Sequence, residues 1–304
     1  MTNELYKKHR PASFKAVVGQ NKVIQQLTEM MNESTLPHSL LFTGGSGCGK
    51  TTLARILKTK LNCSDSDFSE MNCADFRGID TVRSIRQRMG MAPIGGNCRI
   101  WLIDEAAKLS SEAQHAFLKI LEDTPSHVYF FLCTTDPHKL LKTIITRCTE
   151  FKLQEISEKD LIHLIGKVCR KEGAEVSQEV AQRIAEVSEG SARKALVILH
   201  QIIGLETEAD QLAIIDTKDI QTQAIQIARA LMNGKTRWKE MAEILRGVNE
   251  EPESLRYMVL GYCSAVLLKS DNKRAFCIID AFRDNFYDSK KAGLIASCYE
   301  VING

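Results

Sequence analysis

Short apolar runs alternate with longer amphipathic stretches between residues 39 and 153 of this 304-residue chain. Five runs have the length and apolar character of buried β-strands. They are HSLLFT at 38–43, FSEMNCA at 68–74, RIWLID at 99–104, VYFFLCTT at 128–135 and EFKL at 150–153. Strands that alternate with helices form mostly parallel sheets with helices on both faces. The pattern therefore predicts an α/β domain built on a parallel sheet.

After Glu155 the strand-like runs stop and helical periodicity replaces them. Three helices are predicted first, at 159–171, 177–187 and 191–203. Beyond the polar stretch 206–210, four more are predicted, at 217–233, 236–248, 252–269 and 272–300. We therefore expect three domains: the α/β domain at 1–155, a helical lid at 156–212 and an all-α C-terminal domain at 213–304.

The segment GGSGCGKT at 44–51 follows a predicted strand, precedes a helix-like stretch and fits the pattern G-x-x-x-x-G-K-[ST]. Backbone N–H groups of such a loop and the positive end of the next helix bind phosphate, with Lys50 directed toward the β and γ phosphates and Thr51 toward Mg²⁺. The pattern predicts an ATP and Mg²⁺ site; a plain glycine turn is the weaker alternative. The predicted contacts are Gly44, Gly45, Ser46, Gly47, Cys48, Gly49, Lys50, Thr51 and Thr52.

Polar residues follow the next two apolar strands. Asp104 is the last residue of the run RIWLID, and Glu105 follows it directly. We assign Asp104 to Mg²⁺ binding through water and Glu105 to activation of the water that attacks the γ-phosphate. A helix cap is the alternative for this pair. Thr134 and Thr135 end the run VYFFLC, where a hydroxyl would lie beside the γ-phosphate, and Thr135 is the favoured sensor. The alternative is a threonine that starts the Asp-Pro turn.

Two arginines are candidates for the γ-phosphate. Arg147 interrupts an apolar segment, and we expect it to act in trans on a neighbour's ATP as an arginine finger, with a surface salt bridge as the alternative. Arg193 lies in the first turn of a predicted helix, where the helix dipole disfavours a cation. Its position predicts an external anion, such as the γ-phosphate, unless the side chain is simply solvated.

A basic stretch without acidic residues runs from Thr81 to Ile103, and it contains Arg83, Arg86, Arg88 and Arg99. Arg83 and Arg86 share a helix face and suit contacts to DNA phosphates, although a solvated basic face is as good an interpretation. Ser110 and Ser111 precede a predicted helix and would cap it or offer its N–H groups to phosphate. The apolar segment at 89–94 is either core, which we favour, or an exposed partner surface.

Composition limits the class of protein. At 44% hydrophobic and 26% charged residues the chain is typical of folded globular proteins. No apolar run approaches the about 20 residues that cross a bilayer, and the N-terminal MTNELYKKHRP lacks a signal-peptide core. The ten cysteines form no C-x-x-C pair, which predicts reduced thiols and a cytoplasmic location. A net charge of +2 requires any DNA contact to use a local patch.

Together these motifs resemble one family, the AAA+ ATPase subunits of sliding-clamp loaders, such as bacterial DNA polymerase III gamma/tau and the small subunits of replication factor C. The family's adenine-pocket segment is similar to LYKKHRP at 5–11 and VVGQ at 17–20. A stretch that opens a DNA-facing helix in the family is similar to NCADFRGIDTVR at 72–83. The family's Ser-Arg-Cys finger is similar to TRC at 146–148, and its second sensor is similar to GSAR at 190–193. The match runs from residue 5 to about residue 200. It implies adenine contacts from Tyr6, Arg10, Pro11 and Val18, and DNA contacts from Arg77, Arg83 and Arg86.

By this resemblance the C-terminal helices form a collar that holds five subunits in an arc, identical or different, with ATP bound between neighbours. ATP binding would open a sliding clamp around primer-template DNA, and hydrolysis through Glu105 would release it. The chain keeps Cys63 but lacks the rest of the four-cysteine module of gamma/tau, so no zinc is expected. A compact viral loader would fit, in bacterial or virus-infected cytoplasm. The alternatives are a helicase loader or branch-migration motor, and a non-hydrolysing scaffold subunit of a loader.

Overall fold

The computed structural model describes residues 4–75, 78–205, 207–248 and 250–303. These residues form two compact units, divided between residues 205 and 206. The first unit contains five strands, β1 to β5, at Ser39–Thr43, Phe68–Asn72, Arg99–Asp104, Val128–Thr134 and Thr149–Lys152. Its helices α1 to α9 are Leu5–Lys8, Asn21–Asn32, Lys50–Lys60, Ile79–Met89, Ser111–Glu122, Lys142–Ile145, Glu158–Glu172, Gln178–Val187 and Ala192–Ile202.

The five strands form one sheet in the order β2-β3-β4-β1-β5, and every neighbouring pair is parallel. Thr43 at the end of β1 is in register with Thr134 at the end of β4, and Asn72 with Asp104. The carboxyl ends of the strands therefore meet at one edge of the sheet, where ligands of open α/β sheets bind. The predicted α/β fold with a parallel sheet is confirmed.

Side chains on the central strands alternate between two apolar cores. Leu40 and Phe42 pack in one cluster, while Leu41 between them packs in the other. Trp101 and Phe130 stack on the second face, with ring centroids 5.5 Å apart. Because helices cover both faces, each of these strands is apolar along its length rather than alternating, as parallel sheets require.

The second unit is all helical, which confirms the predicted C-terminal helical part. Helices α10 to α14 are Glu208–Met232, Trp238–Arg246, Pro252–Lys269, Lys273–Ala281 and Lys290–Asn303. Its core includes Leu255, Val259, Ile278, Phe282 and Leu294. Within the part of the chain that the structure describes, no helix is both long and apolar enough to cross a membrane.

Two predicted helix boundaries in this unit are wrong, and at each of them side chains hydrogen bond to the backbone at a helix end. The polar stretch at 206–210 contains a helix cap: Thr207 accepts a hydrogen bond from the Asp210 N–H at 3.2 Å and donates to its carboxylate at 2.6 Å. The helix predicted to start at 217 therefore starts at Glu208. The helix predicted at 272–300 is two helices, because a buried Glu253 and Arg256 hydrogen bond to the backbone of residues 282–286 between them.

Candidate active site

The glycine-rich loop connects the end of β1 to the start of α3, as predicted, and two of its glycines have no room for a side chain. Gly44 has φ 141° and Gly47 has φ 77°, a region that other residues rarely adopt. A Cβ on Gly44 would lie 2.5 Å from the Leu153 carbonyl oxygen, and one on Gly47 would lie 2.2 Å from the Ser191 hydroxyl. The loop is thus packed between the sheet edge and the N-terminus of α9.

Lys50 is the first residue of α3 and is 8% exposed. Its ammonium donates to the carbonyl oxygens of Gly44 at 2.9 Å and Gly45 at 2.7 Å. A buried ammonium bonded to backbone carbonyls, beside the positive end of a helix, gives the loop an excess of positive charge. This arrangement suits a polyanion held by the loop.

Thr51 and Asp104 come from different elements and meet at the carboxyl edge of the sheet. The Thr51 hydroxyl donates to Asp104 Oδ2 at 3.0 Å, and Asp104 Oδ1 accepts from the Glu105 N–H at 3.0 Å. A hydroxyl and a carboxylate side by side are oxygen donors of the kind that Mg²⁺ prefers. Among the described residues, no group of three or more His, Cys, Asp or Glu is placed to hold a metal. The pair fits an ion that takes its remaining ligands from phosphate and water.

Glu105 adopts φ 53° and ψ 42°, a left-handed conformation that is uncommon for residues other than glycine. The turn separates its side chain from that of Asp104, and both residues line the same cavity. Lys108 lies 4.0 Å from the Glu105 carboxylate, which is 36% exposed. Backbone strain of this kind is found at functional sites that the surrounding fold holds in place.

The two threonines at the end of β4 have different environments. Thr134 is 1% exposed, and its hydroxyl accepts the Asp136 N–H at 3.0 Å, so it starts the turn. Thr135 is exposed and lines the cavity with Lys50 and Glu105. The structure thus places Thr135, the favoured sensor residue, at the cavity and gives Thr134 the turn role that had been the alternative.

The cavity at this edge encloses about 950 Å³, including space open to solvent. It is lined by every residue predicted for the adenine side, namely Tyr6, Arg10, Pro11 and Val18. It is also lined by residues that the sequence did not single out: His9, Val17, Ile156, and Leu164 and Leu196 of the lid helices. Burial, and then the charges of Arg55 and Arg193, lower the pKa of Arg10. Apolar side chains and a few charged ones line the same cavity, which is the composition of pockets that bind small molecules.

Arg193 is the second residue of α9, whose first turn is capped by Ser191 through a bond from the Lys194 N–H at 3.2 Å. Its side chain is exposed and lines the cavity, and the guanidinium carbon lies 5.7 Å from the centre of the Tyr6 ring. That distance is within the range of a cation–π contact. The lid therefore brings a cation to the cavity that Lys50 also lines.

Arg147 lies apart from the residues that line its own chain's cavity. Its guanidinium pairs with Glu122 at 2.5 Å and donates to the Thr143 carbonyl at 3.0 Å, and the side chain is 36% exposed. The alternative of a surface salt bridge is thus present in the single chain. A role in trans stays a prediction, which this position permits.

The predicted DNA residues are only partly in accord with a basic stripe. Arg83 and Arg86 are exposed on α4, with Arg83 paired to Asp80 at 2.9 Å. Arg77 lies outside the described residues. The Ser110 hydroxyl caps α5 by accepting the Ala113 N–H at 3.2 Å, and Ser111 is exposed.

Arg99, counted with the basic stretch, does not belong to a surface stripe. It is 5% exposed and pairs with Asp67, which is 1% exposed, at 3.1 Å. Burial acts to raise the pKa of Asp67, but bonds from the Gly95 N–H, the Ser64 hydroxyl, the Ile94 N–H and Arg99 outweigh it and leave that pKa well below its usual range. The pair anchors the loop after α4.

That loop carries the apolar segment at 89–94, and both interpretations apply to parts of it. Met89 is 8% exposed and belongs to the core, as favoured. Met91 and Ile94 are 58% and 79% exposed, so the preference for core was wrong for these two residues. These two exposed side chains keep the partner-surface interpretation open for this part of the segment.

Comparison with known proteins shows which proteins this chain resembles. A family model described as DNA polymerase III, delta subunit, matches residues 19–81 and 74–157. The chain is 31% identical to the DNA polymerase III subunit tau of Bacillus subtilis over 267 residues, which are 81% of this chain and 47% of that protein. It is 33% identical to subunit tau of Escherichia coli over 220 residues, which are 66% of this chain and 34% of that protein. It is 32% identical to subunit gamma/tau of Mycobacterium tuberculosis over 222 residues. These likenesses support a relative of the DNA polymerase III gamma/tau subunits, a clamp-loader AAA+ ATPase.

The chain spans less than half the length of these three gamma/tau relatives. Among solved structures it resembles the Holliday junction branch migration motor RuvB of Thermotoga maritima, with a TM-score of 0.57 and 20% identity over 82% of this chain and 84% of that chain. At that identity the likeness shows a shared AAA+ fold.

Proposed function

We propose that this gamma/tau-like chain is the ATPase subunit of a clamp loader, in which ATP binding opens a sliding clamp and places it on primer-template DNA and hydrolysis triggers release. One observation carries the proposal: Lys50, Thr51, Asp104, Glu105 and Thr135 line one cavity, whereas Arg147 lies outside it. Such a site binds ATP in one chain and takes its last cation from a neighbour.

The chemistry assigns a role to each side chain. The loop N–H groups and Lys50 bind the β and γ phosphates, and Thr51 and Asp104 orient the metal. A Mg²⁺ bound there neutralises charge on those phosphates. Glu105 accepts the proton of the attacking water, Thr135 positions that water, and Arg193 of the lid contacts the γ-phosphate. Arg147 of the neighbouring subunit stabilises the charge that develops during cleavage.

The C-terminal unit supports the assembly that this mechanism needs. Seven of the ten large apolar side chains that are exposed lie there, among the described residues. They are Ile225, Tyr257, Leu268, Phe276, Tyr287, Ile295 and Tyr299. A contiguous patch formed by such side chains would mark a protein contact. We assign it to a collar that joins five subunits, identical or different, in the cytoplasm.

DNA lies, in this proposal, along Arg83 and Arg86 of α4 and the start of α5 at Ser110 and Ser111, with Arg77 added from the sequence. Phosphate contacts of this kind position a duplex without reading its sequence. Affinity should therefore fall steeply with salt and be indifferent to base sequence.

The rival functions differ in what controls turnover. A branch-migration motor shares the fold, and a scaffold subunit would not hydrolyse ATP. The test measures ATP turnover of the chain with its partner subunits, with and without sliding clamp and primed DNA, and Lys50→Ala as the inactive control. We expect clamp and primed DNA together to raise turnover. A rate indifferent to both ligands would reject clamp loading, and no turnover under any condition would favour the scaffold.

A further inference from the structure

Gln20, directly before α2, has a buried side-chain amide that bonds to two other segments of the first unit. It is 2% exposed. Its Nε2 donates to the Gln154 carbonyl at 2.7 Å and to the Cys48 carbonyl at 3.3 Å, and its Oε1 accepts from the Gln154 N–H at 3.2 Å. One side chain thus holds both backbone groups of Gln154 and one carbonyl of the glycine-rich loop at 44–51, which we call the P-loop.

Gln154 lies in the connector, residues 153–156, which joins β5 to the first lid helix α7. The connector is fixed to the sheet at one end, where the Leu153 N–H donates to the Thr43 carbonyl at 2.8 Å. It is fixed to the lid at the other end, where the Ile156 N–H donates to the Gly190 carbonyl at 3.0 Å. Gln20 binds the connector between these two points.

The connector packs tightly against the lid turn, the turn at Gly190 and Ser191 that precedes α9. Gly190 has φ 72°, and a Cβ there would lie 2.5 Å from Glu155 Cβ. The next residue, Ser191, meets the P-loop at Gly47, where an added Cβ would lie 2.2 Å from its hydroxyl. A displacement of the connector therefore moves the lid turn, and with it the Arg193 that follows two residues later.

We propose that Gln20 is a positioning residue that sets where the lid carries Arg193 relative to the P-loop, and thereby sets the preference of the site for ATP over ADP. The inference rests on the proposed contact of Arg193 with the γ-phosphate. Val17, Val18 and Ile156 line the cavity, but Gln20 does not, and the polar atoms of its amide are bonded to backbone. Gln20 therefore acts through the connector rather than by touching nucleotide.

A double-mutant cycle on the full chain tests this coupling. The four proteins are wild type, Gln20→Met, Arg193→Ala and the double variant. Dissociation constants are measured with Mg²⁺ for ADP and for an ATP analogue with a non-hydrolysable β–γ bridge. A charge-assisted bond to the γ-phosphate should make the wild type prefer the analogue by about tenfold or more. Both single variants should lose most of that preference, and the double variant should equal Arg193→Ala.

Each other outcome rejects a different statement. If Gln20→Met keeps the wild-type preference while Arg193→Ala loses it, the proposed role of Gln20 is wrong and that of Arg193 stands. The same conclusion follows if Gln20→Met lowers the preference for the ATP analogue as much in the Arg193→Ala background as in the wild type. If Arg193→Ala keeps the preference, the proposed γ-phosphate contact is wrong and the inference falls with it. A merely structural Gln20 would weaken binding of both nucleotides in parallel and leave their ratio unchanged.

Fold controls keep the test decisive. All constants are measured well below each variant's melting temperature. Gln20→Leu is similar in size and likewise removes the donor to the two carbonyls, so it provides the same test if Gln20→Met does not fold. Gln25→Met is the matched control, because Gln25 is exposed on α2 and its amide bonds to Glu29 of the same helix at 2.9 Å. It should leave both constants unchanged.

Discussion

Buried charge serves different purposes in the two units. In the C-terminal unit Glu253 and Arg256 are 4% and 7% exposed, pair with each other at 2.6 Å, and direct their remaining bonds to the backbone between α13 and α14. In the first unit Lys50 is equally buried but bonds to the carbonyls of a loop that borders a cavity. A buried charge satisfied within the fold indicates architecture, and one that faces a cavity indicates a ligand.

The first unit contains both kinds, which makes the distinction useful within one fold. Asp67 and Arg99 are as buried as Glu253 and Arg256, and they likewise hold a loop in place. Composition and position do not separate Arg99 from Arg86, but their partners do. Substitutions at the two kinds of site should therefore affect different measurements, turnover in one case and stability in the other.

The largest effect should come from the arginine that the single chain leaves outside its own cavity. Arg147→Ala should lower ATP turnover of the assembly by about 10³-fold or more, because an arginine finger stabilises the charge of the transition state. Binding of ATP to the isolated chain, measured by titration, should not change. Arg170→Ala, at an exposed position on α7, is the matched control. Unchanged turnover in the assembly, or loss of binding by the isolated chain, would refute the role in trans.

Glu105→Gln should have the next largest effect. It preserves size but removes the proton acceptor, so turnover should fall by about 10² to 10⁴-fold. Binding of ATP should persist, since Lys50, Thr51 and Asp104 are intact, and an equilibrium titration would show it. Glu33→Gln changes an exposed carboxylate at the end of α2 and should leave both measurements as in wild type. If Glu105→Gln turned over ATP normally, another base would have to be sought.

Glu253→Gln tests the architectural side of the comparison. Arg256 would remain buried without its counter-charge, so the free energy of unfolding of the C-terminal unit should fall by about 3–5 kcal/mol in denaturant titrations. ATP binding at low temperature should be unaffected. Glu300→Gln, at an exposed position on α14, should change neither. An unfolding curve that matched wild type would show that the pair contributes little.

The same variant predicts a pH dependence with a definite sign. The bond from Arg256 lowers the pKa of Glu253 against the opposing effect of burial, with a further contribution from the Phe286 N–H. A carboxyl with a lowered pKa in the folded state stabilises the fold above its ordinary value of 4.5 and loses that contribution as pH falls. The stability difference between wild type and Glu253→Gln should therefore be full at pH 7 and shrink below about pH 4.5. A difference that grew on acidification would contradict this assignment.

Sequence reasoning succeeded where the information is local. The P-loop and the pair Asp104 and Glu105 are contiguous, and each follows an apolar strand, so strand order alone brings them to one edge. All five strands were predicted for the same reason. The cap at Thr207 is also local, and its T-x-x-D spacing was a usable signal that was interpreted as a domain boundary.

It failed where a residue's meaning depends on a distant partner. Gln20 bonds to Gln154, 134 residues away, and His9 pairs with Glu172 of the lid, 163 residues away. Nothing near Arg99 in sequence distinguishes it from surface arginines, because its partner Asp67 lies 32 residues earlier. Periodicity assigns such residues to an element, but only the packed fold shows which groups they satisfy.

The smallest predicted effect separates fold from ligand at two adjacent serines. The Ser110 hydroxyl already caps α5, so Ser110→Ala should lower the free energy of unfolding by about 1 kcal/mol. Ser111 is exposed in the first turn of α5, so Ser111→Ala should lower the free energy of unfolding by less than about 0.5 kcal/mol. If both contact DNA phosphate as proposed, each variant should weaken binding of primed DNA by less than tenfold at fixed salt, since neutral phosphate contacts are individually weak.

The matched pair makes this result informative in both directions. Thermal or denaturant unfolding gives the stability of each variant, and a DNA titration at two salt concentrations gives its affinity. Weaker DNA binding by Ser111→Ala at wild-type stability would assign the start of α5 to DNA, because that variant leaves the cap intact. If only Ser110→Ala weakens DNA binding and it also loses stability, Ser110 acts by capping α5. DNA would then contact α5 rather than the Ser110 side chain.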